Sequence, residues 1–278
     1  MIGASGRSGA ALCRALAEHG LPFRPVVRNP ERWRSTGLPG EPRVADLRDP
    51  FALQAALAGA GRVVSCAHAR HAPAILAAAT PEAQIVLMGS TRRFSAWRDE
   101  HGDGVRRGEA ALLESGRRGV ILHPTMIYGA EGEDNVQRLA ALLRRLPIAP
   151  LPDGGRALVQ PIHQSDVTRA LLSALQREWR SAQALVIAGP APLRYAEFLR
   201  AVCRAAGFKP PPVVPLPLPL LLAGAAILRT VPRLPRIRSQ ELRRLTEDKA
   251  FDIGPMHAEL GFTPLPLEEG LARTFHPV

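Results

Sequence analysis

The sequence predicts an α/β protein with a doubly wound parallel sheet and a smaller C-terminal lobe. Three observations carry that reading. A glycine-rich stretch, MIGASGRSG, opens the chain and runs straight into an apolar-faced helix. Strand and helix signals then alternate at the spacing of βαβ units, whose crossover helices produce parallel sheets. After Tyr128 the rhythm changes to helices and Pro-rich turns.

The elements follow in order. Leu12, Ala15 and Leu16 have helical spacing, and Gly20 suits a left-handed close to that helix. Phe23 to Val27 is a short apolar run in which Pro25 is tolerable near a strand start or bulge, and Val44-Ala45 is another. Asp49-Pro50 supplies a cap and first residue for a helix that buries Leu53 and Leu57. Val63 to Ala67 reads as a strand, 72–80 as an Ala-rich helix and Ile85 to Met88 as a strand. A helix over 104–115 ends at Gly116, and Val120 to Leu122 is again a strand. Helix 134–146, a helix capped by Asp166 and an apolar helix at 218–228 make the second lobe. The expected division is a dinucleotide-binding domain over 1–128 and a substrate lobe over 129–278, interleaved with the sheet edge.

Composition narrows the function classes. A chain of 278 residues can bury a full core, and 46% hydrophobic with 22% charged residues is an ordinary globular balance. The net charge of +11 comes almost wholly from arginine, Lys209 and Lys249 being the only lysines. The arginines are scattered without interleaved aromatics, which argues against a nucleic-acid interface. Cys13, Cys66 and Cys203 are too few and too dispersed for a disulfide framework, so a reducing cytoplasm is expected. The eight histidines show no ligand spacing, so no metal is expected. The start lacks a basic-then-apolar leader pattern. Pro210 to Leu228 is uncharged and flanked by Lys209, Arg229, Arg233, Arg236 and Arg238. It is too short and Pro-rich to span a bilayer. It is either a connection into an apolar helix or a peripheral membrane or protein contact through 213–238.

Glycines at Gly3, Gly6 and Gly9 suit a loop where backbone must approach a pyrophosphate and where helix packs on strand. The spacing is Gly-x-x-Gly-x-x-Gly, weak alone and strengthened by its position ahead of a helix. Gly3-Ala-Ser-Gly-Arg-Ser-Gly9, Asp46-Leu47, Gly89-Ser90-Thr91 and His123-Pro-Thr-Met-Ile-Tyr-Gly129 together resemble the short-chain dehydrogenase/reductase superfamily. The likeness is to its extended and atypical, nucleotide-sugar epimerase-like branch. Phe251-Asp-Ile-Gly, Leu260-Gly-Phe-Thr-Pro and Leu267-Glu-Glu-Gly-Leu271 resemble that branch's closing segment.

The resemblance implies a Rossmann-type fold and a nicotinamide dinucleotide on the loop of Gly3, Ser5, Gly6, Arg7, Ser8 and Gly9. A central strand of about five residues is expected before Gly3, yet only Met1 and Ile2 stand there. The first strand is thus largely missing, and a strand-coding continuation upstream of Met1 is expected. Arg28 stands where NAD-binding members carry an acidic residue, and Arg7 can reach the same phosphate. The expected cofactor is therefore NADP(H) rather than NAD(H). By resemblance, Asp46 and Leu47 lie against the adenine, and Cys66, Ala67 and His68 near the nicotinamide ribose. His68 is equally readable as a surface loop residue.

On the substrate side the resemblance points to Tyr128, as ligand contact or packing residue, and to His123, which replaces an arginine usual there. Ser90 and Thr91 fit the residues that orient a carbonyl. The superfamily's tyrosine and lysine, four apart on one helix, cannot exist here, because the only tyrosines are Tyr128 and Tyr195. Taking Glu109 as the branch's glutamate marker puts His101 in the tyrosine slot and Val105 in the lysine slot. His101 is either a proton shuttle or a solvated loop residue. Two functions stay open: an NADP(H)-dependent oxidoreductase or epimerase of atypical mechanism, and a non-catalytic dinucleotide-binding sensor or accessory subunit. The second is similar to the superfamily member of respiratory complex I.

Overall fold

Short polar side chains start several helices of the first half. Asn29 accepts from the Glu31 and Arg32 N–H groups, Asp49 from those of Phe51 and Ala52, and Asp99 from that of Gly102. The computed structural model describes residues 1–129, 134–228 and 239–276. In the first half the elements are α1 (Arg7–Glu18), β1 (Val26–Val27), α2 (Pro30–Arg34), β2 (Arg43–Val44) and α3 (Pro50–Leu57). Then come β3 (Arg62–Ser65), α4 (Ala72–Ala78), β4 (Gln84–Met88), α5 (Glu100–Leu113) and β5 (Gly119–Pro124).

The sheet is parallel throughout, with β1 paired to β2, β3 to β4 and β4 to β5. Met1 and Ile2 stand between β1 and β3. The Ile2 N–H donates to Val64 O at 2.8 Å and its carbonyl accepts from Cys66 N–H at 3.1 Å. On the other side Val26 N–H donates to Met1 O at 2.8 Å and Gly3 N–H to Val26 O at 3.1 Å. Counting Met1–Ile2 as the first strand, the order β2, β1, Ile2, β3, β4, β5 is that of a doubly wound dinucleotide fold. Both faces are covered, as parallel sheets require. Leu12, Leu16 and Val120 pack on one face; Leu53, Ile75, Leu112 and Ile121 pack on the other.

The second half contains β6 (Ile127–Tyr128), α6 (Asn135–Leu143), β7 (Ala149–Pro152), β8 (Leu158–Val159), β9 (Ile162–His163) and α7 (Gln164–Gln176). It continues with β10 (Ala182–Ile187), β11 (Leu193–Arg194), α8 (Tyr195–Ala205), β12 (Val213–Leu216) and α9 (Leu218–Leu228). It closes with α10 (Ser239–Arg244), α11 (Gly254–Leu260) and α12 (Leu267–Phe275). The sequence does not signal β10, which extends the main sheet by pairing parallel with β5. α7 packs against α1, also on the main sheet. A separate cluster of Tyr128, Val136, Phe198, Val202 and Leu271 joins α6, α8 and α12.

Two expected boundaries are corrected. α5 begins at Glu100 rather than 104, because the Asp99 carboxylate caps it and draws His101 into the first turn. Asp166 is not a cap but lies inside α7, whose cap is the His163 ring. Asp166 is 0% exposed, accepts from Leu265 N–H at 2.9 Å and pairs with Arg169. Among the described residues no helix is long and apolar enough to cross a membrane. The helix expected at 218–228 is α9, while its Arg-rich flank over 229–238 lies outside the described residues.

A cavity of about 480 Å³ lies between β1 and β3, lined by Met1, Leu16, Phe23, Val26, Leu57 and Val64 among others. Ile2 bridges to Ser65, and among the described residues no strand pairs with the rest of β3, back to Arg62, on this side. A chain with about four apolar β-branched residues added ahead of Met1 should melt higher by on the order of 5 °C. An unchanged melting temperature would show that the cavity does not admit a strand.

Candidate dinucleotide and substrate site

The turn from Ile2 into α1 is built on close approach. Gly3 has φ +74°, and a Cβ on Gly9 would lie 2.0 Å from the Gly3 carbonyl oxygen. Only glycine permits this packing of helix on strand. Gly6 caps α1 without a side-chain hydrogen bond, so the helix N-terminus presents backbone N–H groups and positive dipole to an anion. Ser8 donates its hydroxyl to buried Gln164 Oε1 at 3.2 Å, tying the first turn of α1 to α7.

A groove of about 570 Å³ runs past this turn. Its walls include Gly3 and Ser5 from the loop, Arg28 after β1, and Asp46 and Leu47 after β2. Ala67 and His68 after β3 line the opposite rim. The residues present suit a dinucleotide: Gly3 and Ser5 of the turn line one wall, and Arg28 brings a cation to the groove. Sequence reasoning missed Arg48, Arg70 and His71, which also line the groove. In so arginine-rich a chain no single arginine stands out.

Asp46 is engaged by its neighbour. It accepts from Arg48 N–H at 2.9 Å and from the Arg48 side chain at 3.3 Å. These bonds, backbone first and then side chain, hold its carboxyl below the usual range, with Arg28 adding to the effect. Cys66 is placed differently from its neighbours. Its thiol packs into the core beside Met1 and Leu12 and burial pushes it up to about 12, so it does not line the groove.

His68 and His101 meet. Their rings stand edge-on with centroids 4.2 Å apart, and a Cβ on Gly104 would lie 2.9 Å from the His68 ring. His68 Nδ1 accepts from Arg70 N–H at 3.0 Å. His68 Nε2 and His101 Nδ1 are buried without a protein partner among the described residues. Burial lowers His68 to about 4, with His101 and Arg70 adding repulsion. Burial and then Arg92 lower His101. Both imidazoles are therefore neutral at neutral pH. Arg92 and Arg244 flank the pair through a shared partner, Asp99, at 2.5 and 3.1 Å.

In the loop after β4, Ser90 Oγ accepts from Arg92 N–H at 3.2 Å, which leaves its own hydrogen available to a third group. Thr91 has already committed its hydroxyl hydrogen to Pro124 O at 3.1 Å, so of the two only Ser90 retains a donor. Two substrate assignments are corrected. His123 is 1% exposed and turned inward toward Glu109, out of reach of a ligand. Tyr128 is also 1% exposed, edge-on to His163 and pressed on Gly270, where a Cβ would lie 2.2 Å from its hydroxyl. Burial raises its phenol pKa, so it is a packing residue. No group of three His, Cys, Asp or Glu among the described residues could hold a metal.

Residues 3–135 match the family described as NAD(P)H-binding. Uncharacterized protein Rv2047c of Mycobacterium tuberculosis is 26% identical over 95% of this chain. This chain spans 28% of that relative's length, and the same share of its counterpart in Mycobacterium bovis. The NADPH-dependent quinone oxidoreductase QOR2 of Escherichia coli, solved with NADPH, superposes with TM-score 0.77 at 17% identity, covering 99% of both chains. A nucleoside-diphosphate-sugar epimerase of Pseudomonas aeruginosa superposes with TM-score 0.71 at 19% identity, covering 98% of this chain and 94% of that one. Residues 3–135 thus resemble an NAD(P)H-binding domain, and nearly the whole chain shares the fold of these proteins.

The His68 shift has a sign that can be tested. Its folded pKa lies below the unfolded value, so the folded state binds fewer protons between about pH 6.5 and 4. Its contribution to stability is present above the upper limit and is lost as pH falls through that window. Thermal melts should decline across it, and His68→Gln should flatten part of the decline. Ring signals of His68 titrating near 6.5 in NMR would contradict the burial argument.

Proposed function

We propose that this chain, an NAD(P)H-binding member of the atypical short-chain dehydrogenase/reductase branch, is an NADP(H)-dependent oxidoreductase or epimerase that moves protons through histidine. The carrying observation is the His68–His101 pair, which joins the groove wall to the first turn of α5. When bound, the dinucleotide supplies or accepts a hydride. Gly3, Gly9 and the open N-terminus of α1 would hold its pyrophosphate. Arg28 and Arg48 favour a 2′-phosphate, because Asp46 is already engaged by Arg48 and is a poor partner for ribose hydroxyls.

Ser90 would donate its hydroxyl hydrogen to a substrate carbonyl, and His101 would carry the proton. Neither tyrosine can take that role, since Tyr128 is buried against His163 and burial pushes Tyr195 up to about 12. The neutral state of both imidazoles favours a second reading. Groups without a proton to give near pH 7 make a slow acid, which suits a dinucleotide-binding sensor or accessory subunit. Leu220 on α9, 61% exposed, supports the accessory form by offering an apolar partner surface.

The test is a paired titration followed by turnover on a panel of carbonyl and quinone substrates. NADPH should bind at least about tenfold tighter than NADH, the worth of one charge-assisted contact, and Arg28→Ala should erase most of that preference. Tighter NADH binding would refute the cofactor assignment. His101→Ala should slow turnover about 10²-fold or more; fast turnover that survives it removes the histidine from the chemistry. Firm NADPH binding with no turnover on any substrate would favour the sensor reading.

A further inference from the structure

We propose that the buried chain Arg93–Glu109–His123 is a positioning device that aims the Ser90 hydroxyl, with His123 locked as the tautomer bearing hydrogen on Nε2. The consequence for turnover rests on reading Ser90 as the donor to a substrate carbonyl.

Ser90 N–H donates to His123 Nδ1 at 3.1 Å. That bond requires an unprotonated Nδ1, which puts the ring's hydrogen on Nε2. Nε2 lies 2.9 Å from Glu109 Oε2, and Arg93 Nε lies 2.5 Å from the same oxygen. The first is a contact of a neutral ring and the second an ion pair, and neither has the alignment of a full hydrogen bond. Glu109 is buried on α5, where a carboxylate needs a compensating charge, and Arg93 supplies it. The ring fits only because position 89 is glycine: a Cβ there would stand 2.4 Å from Nδ1. Phe94 covers the ring edge-on at 6.3 Å, with Arg93 stacked on Phe94 at 4.5 Å. Three elements, the β4 loop, β5 and α5, thus meet on one imidazole. A buried polar group could serve stability alone, but this one grips the backbone of the residue whose hydroxyl retains an uncommitted hydrogen. Glu109 and His123 do not line the groove, so they position rather than catalyse.

The experiment is long-range ¹H–¹⁵N NMR of the full chain, with amide exchange at Ser90, before and after Glu109→Gln. His123 should show the Nε2–H tautomer in the unaltered chain. Glu109→Gln should speed Ser90 amide exchange about tenfold or more while NADPH affinity stays within about twofold. Carbonyl turnover should fall in kcat without a change in KM for NADPH. If Glu109→Gln does not fold, Gly89→Ala crowds the same Nδ1 and should raise the same exchange rate. A His123 ring protonated on Nδ1, or Ser90 exchange unmoved by these changes, would overturn the proposal. Positioning that holds while Ser90→Ala leaves turnover intact would fault the reading of Ser90 instead.

Discussion

The backbone of Met1, Ile2 and Gly3 is the hinge pin of this molecule. Through it the β1–β2 pair is joined to the β3–β4–β5–β10 sheet, because Ile2 bridges to both Val26 and Ser65. Without that ladder each flanking strand would carry unpaired backbone groups in the sheet interior, a cost native folds avoid. The same hydrogen bonds set the distance between the two rims of the groove. Arg28 and Asp46 stand on one rim, Ala67 and His68 on the other. The close approach of Gly9 to the Gly3 carbonyl then fixes where the α1 N-terminus points.

Cations stand close to the two imidazoles: Arg92 and Arg244 share Asp99, and Arg70 reaches Glu100. Burial and these cations act in the same direction on His68 and His101, so both rings stay neutral.

The C-terminal segment locks the loop that carries Ser90. Glu247 accepts from Ser95 Oγ and from the Ala96 and Trp97 N–H groups, at 2.7 to 3.3 Å. Arg243 lies over the Trp97 ring, and Phe251 packs on Phe94. Asp248 accepts from Leu158 N–H at 2.8 Å, so one stretch braces both the β4 loop and β8. The order of the Ser90 loop therefore depends on residues more than 140 positions away.

What the amino-acid sequence determined by itself is whatever acts over a few residues. Asp49-Pro50 had to cap a helix, the spacing of Gly3, Gly6 and Gly9 had to make a tight strand-to-helix turn, and two tyrosines ruled out the usual dyad. Where a local signal misled, a distant group had intervened. Asp166 looked like a cap but is held by Leu265 N–H and Arg169. His123 looked like a substrate contact but turns inward to Glu109. The meeting of His68 with His101 and the pairing of β10 with β5 belong to tertiary structure alone. They join segments far apart in the chain, and no capping, periodicity or glycine rule reaches across such a gap. Only packing decides which side chains become neighbours, and therefore which histidines are neutral and which serine retains its donor.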